Sequence, residues 1–255
     1  MRRIPLFGPA LLAALAAVPA LAHAQATAPD VEPEAVAALE KMGAYLRTLD
    51  AFQVRAATTR EDVLDDGEKV AYSSVTDVLA QRPNRFRAEV DGDRHTRLYL
   101  YDGKSFTLFA RRAGYYATVP APASIAELED RLNDRYGIEV PLSDLFRWGG
   151  PRASTKEITA ASDIGPSVVE GTTCEHYVFR QTGADWQVWI QNGAFPLPRK
   201  LVITTTTDEA RPQFSAVYTW NLAPSFNDAA FTFDPPADAQ RIVFAEDAPS
   251  GAVKK

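Results

Sequence analysis

Between Arg85 and Asp91 the chain alternates without a fault: Phe86, Ala88 and Val90 are apolar, while Arg85, Arg87, Glu89 and Asp91 are charged. A period of two puts successive side chains on opposite faces, so this segment reads as a strand with one dry face and one wet face. The same period recurs on either side. Phe52, Val54 and Ala56 alternate before an Asp65-Asp66-Gly67 turn, and Val70, Tyr72, Val75 and Val78 lie on the return strand. Asp91-Gly92-Asp93 turns the chain again, Leu98 and Leu100 continue it, and Asp102-Gly103-Lys104 leads into Ser105–Ala110. The product is a meander of antiparallel hairpins.

Two stretches break the period. From Pro33 to Leu49, Val36, Leu39, Met42, Leu46 and Leu49 recur at three- and four-residue spacing, with proline at the first helical position. Ala123–Tyr136 carries Ile125, Leu128 and Leu132 at helical spacing and ends at Gly137; Leu142–Trp148 reads as a second short helix stopped by Gly149-Gly150-Pro151. Strands then resume at Ile164–Val169, Cys174–Gln181, Trp186–Ile190, Arg199–Thr206 and Phe214–Leu222. In the last of these, Phe214, Ala216, Tyr218, Trp220 and Leu222 share one face.

The expected fold class is α+β, mainly β. It is a single strongly curved antiparallel sheet, an incomplete barrel of about ten or eleven strands, with helices covering its concave face. Periodicity leaves two arrangements open. The helices either pack into the concave face as solid core or lie as a lid over an apolar space.

The first residues give the compartment. Arg2 and Arg3 precede the apolar run Leu6–Leu21, and Ala22-His23-Ala24 has the small-x-small form a signal peptidase cuts. Pro9 and Pro19 interrupt a run shorter than the roughly 20 residues that span a bilayer. Residues 1–24 are therefore expected to be a signal peptide cleaved near Ala24. Residues 25–245 form the folded domain and 246–255 a disordered tail, with the mature protein soluble in the periplasm. Gln25, not cysteine, stands directly after the cleavage site, so a lipid anchor is not expected; Cys174 is the single cysteine and forms no intramolecular disulfide.

Charge and chemistry narrow the function. The net charge is −6, and becomes −8 without Arg2 and Arg3, which argues against nucleic acid as a partner. His95 and His176 lie in different strands without metal-ligand spacing, so neither metal nor cofactor is expected. There is no Gly-x-Ser-x-Gly elbow, phosphate loop or dinucleotide fingerprint, and no enzyme is expected. Glu127 and Asp130 fall on a solvated helix face, and the acidic turns serve hairpins. Trp186, Trp189 and Trp220 are read as core, or as rings that stack on a ligand.

Four strings stand in order along this frame: Leu49-Asp50-Ala51-Phe52, Arg82-Pro83-Asn84-x-Phe86, Asp102-Gly103-Lys104-Ser105-Phe106 and Phe231-Thr232-Phe233-x-Pro235-Pro236. Together they resemble the LolA-type periplasmic lipoprotein carriers, which hold acyl chains inside a curved sheet. Trp189-Ile190, Phe195-Pro196-Leu197-Pro198-Arg199-Lys200 and Trp220-Asn221-Leu222 resemble more closely an uncharacterised family of predicted periplasmic proteins with the same fold.

The resemblance implies a lipid, a lipoprotein acyl chain or a similar hydrophobe as ligand. Phe86, Ala88, Val90, Leu98, Leu100, Phe106, Leu108, Phe214, Tyr218 and Trp220 would form the cavity wall, although each also serves as ordinary core. It also implies that Arg82 latches the helical lid, while proline beside it equally makes Arg82 a simple strand terminator. The alternative function on the same fold is an envelope sensor or interaction module that contacts another protein.

Overall fold

The computed structural model describes residues 30–150 and 155–245; the expected signal peptide and tail lie outside the described residues. Helix α1 (Pro33–Arg47) begins with proline in its first turn and buries Ala35, Leu39, Met42, Gly43 and Leu46 on one face. The first meander follows as β1 (Ala51–Val63), β2 (Lys69–Gln81), β3 (Arg85–Gly92), β4 (Thr96–Tyr101), β5 (Ser105–Ala110) and β6 (Tyr115–Pro120). The inserted helices α2 (Ile125–Tyr136) and α3 (Asp144–Arg147) lead to the second meander. This comprises β7 (Ile158–Val169), β8 (Thr172–Gln181), β9 (Ala184–Gln191), β10 (Pro198–Thr205) and β11 (Gln213–Asn221). A two-residue strand β12 (Gln240–Arg241) closes the described chain.

All twelve strands form one sheet in the order β12-β6-β5-β4-β3-β2-β1-β11-β10-β9-β8-β7. The two meanders meet where β1 pairs with β11, and β6 and β7 remain far apart in that order, so the sheet is open. The pairs are antiparallel apart from β12 with β6, which run parallel. Tyr115–Pro120 is a strand beyond those expected, and β7 begins at Ile158, ahead of the expected Ile164.

Register decides which residues face the helices. One inner row runs Phe106, Tyr101, Phe86, Ala80, Phe52; the next runs Leu108, Tyr99, Ala88, Val78, Val54, Trp220. Leu98 and Leu100 pair with Glu89 and Arg87 and therefore project from the outer face, which corrects their assignment to the cavity wall. Strand β4 is apolar on both sides because the outer side is covered too. Residues following β11 cross it as a strap, with Phe231 1% exposed and the Phe233 ring 5.7 Å from Phe109 and 5.1 Å from Tyr116.

Helix α2 is bounded as its sequence dictates. Ser124 caps its start by accepting a hydrogen bond from the Glu127 N–H at 3.3 Å, and Gly137 ends it in the left-handed region at φ 59°. Helix α3 is shorter than expected, a single turn, yet it drives Leu145 and Phe146 into the core. The Phe146 ring lies 5.9 Å from Phe52 and 6.1 Å from Phe86. Just past α3, Gly149 lies directly against α1. A methyl on Gly43 would meet Gly149 N at 2.5 Å, so the two backbones touch without intervening side chains.

Candidate functional site

The four strings gather at one end of the first meander. Arg82 N–H donates to Asp50 O at 2.8 Å, tying the second string to the first. A methyl on Gly103, held at φ +94°, would meet Asn84 Nδ2 at 3.0 Å, so the third string packs on the second. Arg85 reaches the fourth, with its guanidinium 5.4 Å from the Phe231 ring and an ion pair to Asp228 at 2.7 Å. The cover is tied to the same end: Ile125 N–H donates to Pro83 O at 3.0 Å, and Tyr101 OH donates to Pro122 O. These strings form a scaffold that seats the helices and the strap.

Arg82 lies between sheet and cover. Its guanidinium carbon is 5.7 Å from the Phe146 ring centroid, and its buried Nε makes no hydrogen bond. Burial disfavours its charge, Arg47 adds to that, and the Glu129 carboxylate opposes it. Arg82 thus touches the cover through a ring face, and the turn holds the lid through the Pro83 carbonyl. Beside it, Glu129 is 2% exposed and accepts from Arg147 Nε at 3.4 Å.

Of the expected wall, Phe86, Ala88, Val90, Phe106 and Tyr218 are buried on the inner face, with Leu108, Phe214 and Trp220 half-buried there. The space between Phe86, Phe106 and Trp220 is filled, since Phe146 reaches Phe86 and the Phe52 ring lies 5.5 Å from Trp220. Trp220 also donates from Nε1 to Pro198 O at 2.8 Å.

The second meander differs. Between α1, the end of α3 and strands β7–β10 lies a half-open cleft of about 280 Å³. Its apolar lining is Leu39, Trp148, Ile158, Trp186, Leu201 and Ile203; Glu40, Arg147, Thr155, Glu157 and Gln181 supply polar edges. The Trp186 ring is stacked on Phe179 at 4.3 Å, which holds it flat against the sheet. None of these residues was selected from the sequence except Trp186, whose strand alternation gives it an inward direction.

Asp144 also lines the cleft. Burial holds its carboxyl above the ordinary carboxylate range, Arg147 opposes this, and Glu139 reinforces it. Tyr218 lies nearby, its hydroxyl pushed well above the usual phenol range by burial and by the charge of Asp144. Burial thus shifts both groups toward their neutral forms.

The remaining candidates sit on the outer face. His176 stacks on Trp189 at 4.0 Å and shares a 3.0 Å hydrogen bond with Gln187 Oε1, while Lys200 Nζ lies 4.5 Å over the same Trp189 ring. Cys174 is buried beneath, its thiol pushed up by burial. Among the described residues no group of three or more His, Cys, Asp or Glu is placed to hold a metal, and no helix is long and apolar enough to cross a membrane.

A family described as predicted periplasmic protein, DUF2092, matches residues 35–245. The chain belongs to DUF2092. No protein with a curated description matches it. Among solved structures, this DUF2092 chain is similar to an uncharacterized conserved protein from Thermus thermophilus, at 13% identity and TM-score 0.46, over 82% of this chain and 99% of that one. It is similar to lipoprotein LppX from Mycobacterium tuberculosis, at 13% identity and TM-score 0.46, over 77% and 100%. A LolA superfamily protein from Nitrosomonas europaea aligns at 12% identity and TM-score 0.39, over 78% and 97%.

Proposed function

We propose that this chain is a periplasmic binding protein that holds a hydrophobic ligand, a lipid or a lipoprotein acyl chain, between the concave sheet face and its helices. The observation that carries this is the cleft: an apolar floor of Trp186, Leu201 and Ile203 continues the buried inner face of the sheet beneath a half-open space bordered by α1 and α3. Its volume of about 280 Å³ lies just below the range of ligand pockets, which begins near 300 Å³. A hydrocarbon gains about 0.8 kcal/mol per methylene buried there, so holding it needs few polar contacts. Outward movement of the helices would extend the floor to Tyr218, Phe86 and Phe106. The role is binding and not catalysis.

The test is to extract the purified mature chain with organic solvent, search for lipid by mass spectrometry, and titrate it with the fluorescent probe N-phenyl-1-naphthylamine. Ile203→Trp fills the cleft and is expected to remove contact with about two methylenes' worth of probe, weakening binding about tenfold. Absence of both lipid and probe uptake would refute the proposal.

A second reading has its own support. Ile164 and Val168 on edge strand β7 are 58% and 65% exposed, as suits a module that contacts another protein. Pull-down from envelope extracts would then yield a stoichiometric protein in place of lipid.

A further inference from the structure

The helical cover has three moorings. At one end Ile125 N–H is bonded to Pro83 O, and at another Gly149 abuts Gly43 backbone to backbone. The third is of a different kind. The strap crosses the outer face, is pinned by Phe231 and Phe233, and runs beside β6 as β12. It then rounds the sheet edge onto the inner side. There the Phe244 ring lies 6.4 Å from Phe106 of β5, in a stacked arrangement, and 5.2 Å from Tyr136 at the end of α2.

This mooring depends on a single side chain. The last backbone hydrogen bond of the strap among the described residues is Ile242 N–H to Tyr116 O at 2.8 Å. Beyond it Val243 is 90% exposed, and Ile242 itself is 47% exposed. Phe244 is half-buried and packs against the main core between sheet and lid. Withdrawing it requires rotation of the backbone at Val243 and Phe244 and leaves Phe231, Phe233 and β12 in place. Its slot, walled by one ring from the sheet and one from the lid, is apolar on both sides and leads to the inner row of Phe106, Tyr101 and Phe86.

We infer that Phe244 is a stopper in a portal between α2 and β5, and that an unbranched hydrocarbon chain takes its place against Phe106 and Tyr136 as the helices move outward. This rests on the ligand-binding proposal above. A flexible alkyl chain and a phenyl ring are both satisfied by the same aromatic walls, so exchange of one for the other loses no hydrogen bond. Closure is thereby coupled to vacancy: the empty protein plugs itself, and a held chain keeps Phe244 displaced.

The experiment uses the mature protein with Phe244→Ala, Phe244→Trp and Val243→Ala. Uptake of N-phenyl-1-naphthylamine is followed by stopped flow, and amide exchange of residues 125–136 by mass spectrometry. Phe244→Ala is expected to speed uptake about tenfold and to raise exchange in α2 but not in α1. Phe244→Trp restores both to wild-type values, and Val243→Ala changes neither. Wild-type uptake and wild-type α2 exchange in Phe244→Ala would overturn the inference. If no variant takes up probe, the ligand-binding proposal fails instead, and α2 exchange alone decides whether Phe244 holds the lid.

Discussion

Gly43→Ala probes the backbone contact on which the cover rests. The new Cβ would lie 2.5 Å from Gly149 N and 2.8 Å from Gly149 Cα, where ordinary contact begins at 3.4 Å. The segment after α3 must therefore retreat by about 0.9 Å, the difference between 3.4 and 2.5 Å. Neither atom belongs to a side chain that can rotate away, so the cost lies near the upper end for overpacking, about 3 kcal/mol. Alanine in a helix interior returns about 1 kcal/mol relative to glycine. The net loss is about 2 kcal/mol, or a melting-temperature drop of about 4–8 °C in a domain of this size. Urea titration followed by tryptophan fluorescence and a calorimetric scan measure it, and amide exchange should rise in residues 144–150. The reasoning fails if the variant melts higher than wild type, because helix propensity alone then accounts for the result. Gly149→Ala should act in the same direction and more strongly, since its Cβ would meet Gly43 C and O at 2.4 Å and its φ is +72°.

Two further changes address the polar groups under the cover. Burial raises the Asp144 carboxyl, so the folded state binds its proton more tightly than the unfolded chain. The associated stability is complete below the unfolded value of about 3.9 and is lost as pH rises through the folded value. Asp144→Asn should therefore stabilise the protein increasingly from pH 4 to pH 7 in thermal melts, and a pH-independent difference would contradict this. Arg82→Leu removes a guanidinium that stacks on Phe146 with a buried Nε lacking a partner, while keeping apolar bulk. Global stability should change by less than about 1 kcal/mol, with faster amide exchange in α3 and faster release of probe. Unchanged exchange and release would leave Arg82 a strand terminator.

Much of the sheet was legible because its period is local. Arg85–Asp91 needed only its own seven residues to declare two faces, and Ser124 with Gly137 bounded α2 from their chemistry alone. The outer assignment of Leu98 and Leu100 was not legible, because the apolar cover over them arrives from Phe231 and Phe233, more than a hundred residues later. Tyr115–Pro120 was missed for a related reason: only Ala117 is buried along it, so apolar and polar positions scarcely alternate. The cleft lay beyond local pattern altogether. Leu39, Ile158, Trp186 and Leu201 come from four elements, and the space among them is set by how those elements pack. The four strings marked the fold accurately but pointed to its scaffold, and the filled space between Phe86 and Trp220 moved the candidate site to the other meander.

The pairing of β1 with β11 sets the order in which the molecule can assemble. Gln53 lies opposite Asn221, so a strand made early meets a neighbour made near the end. Through most of synthesis β1 has β2 on one side and unsatisfied amides on the other, a template on which stray chains can grow. Such long-range closure slows folding, and the nascent half-sheet is the species that a holding chaperone would need to shield.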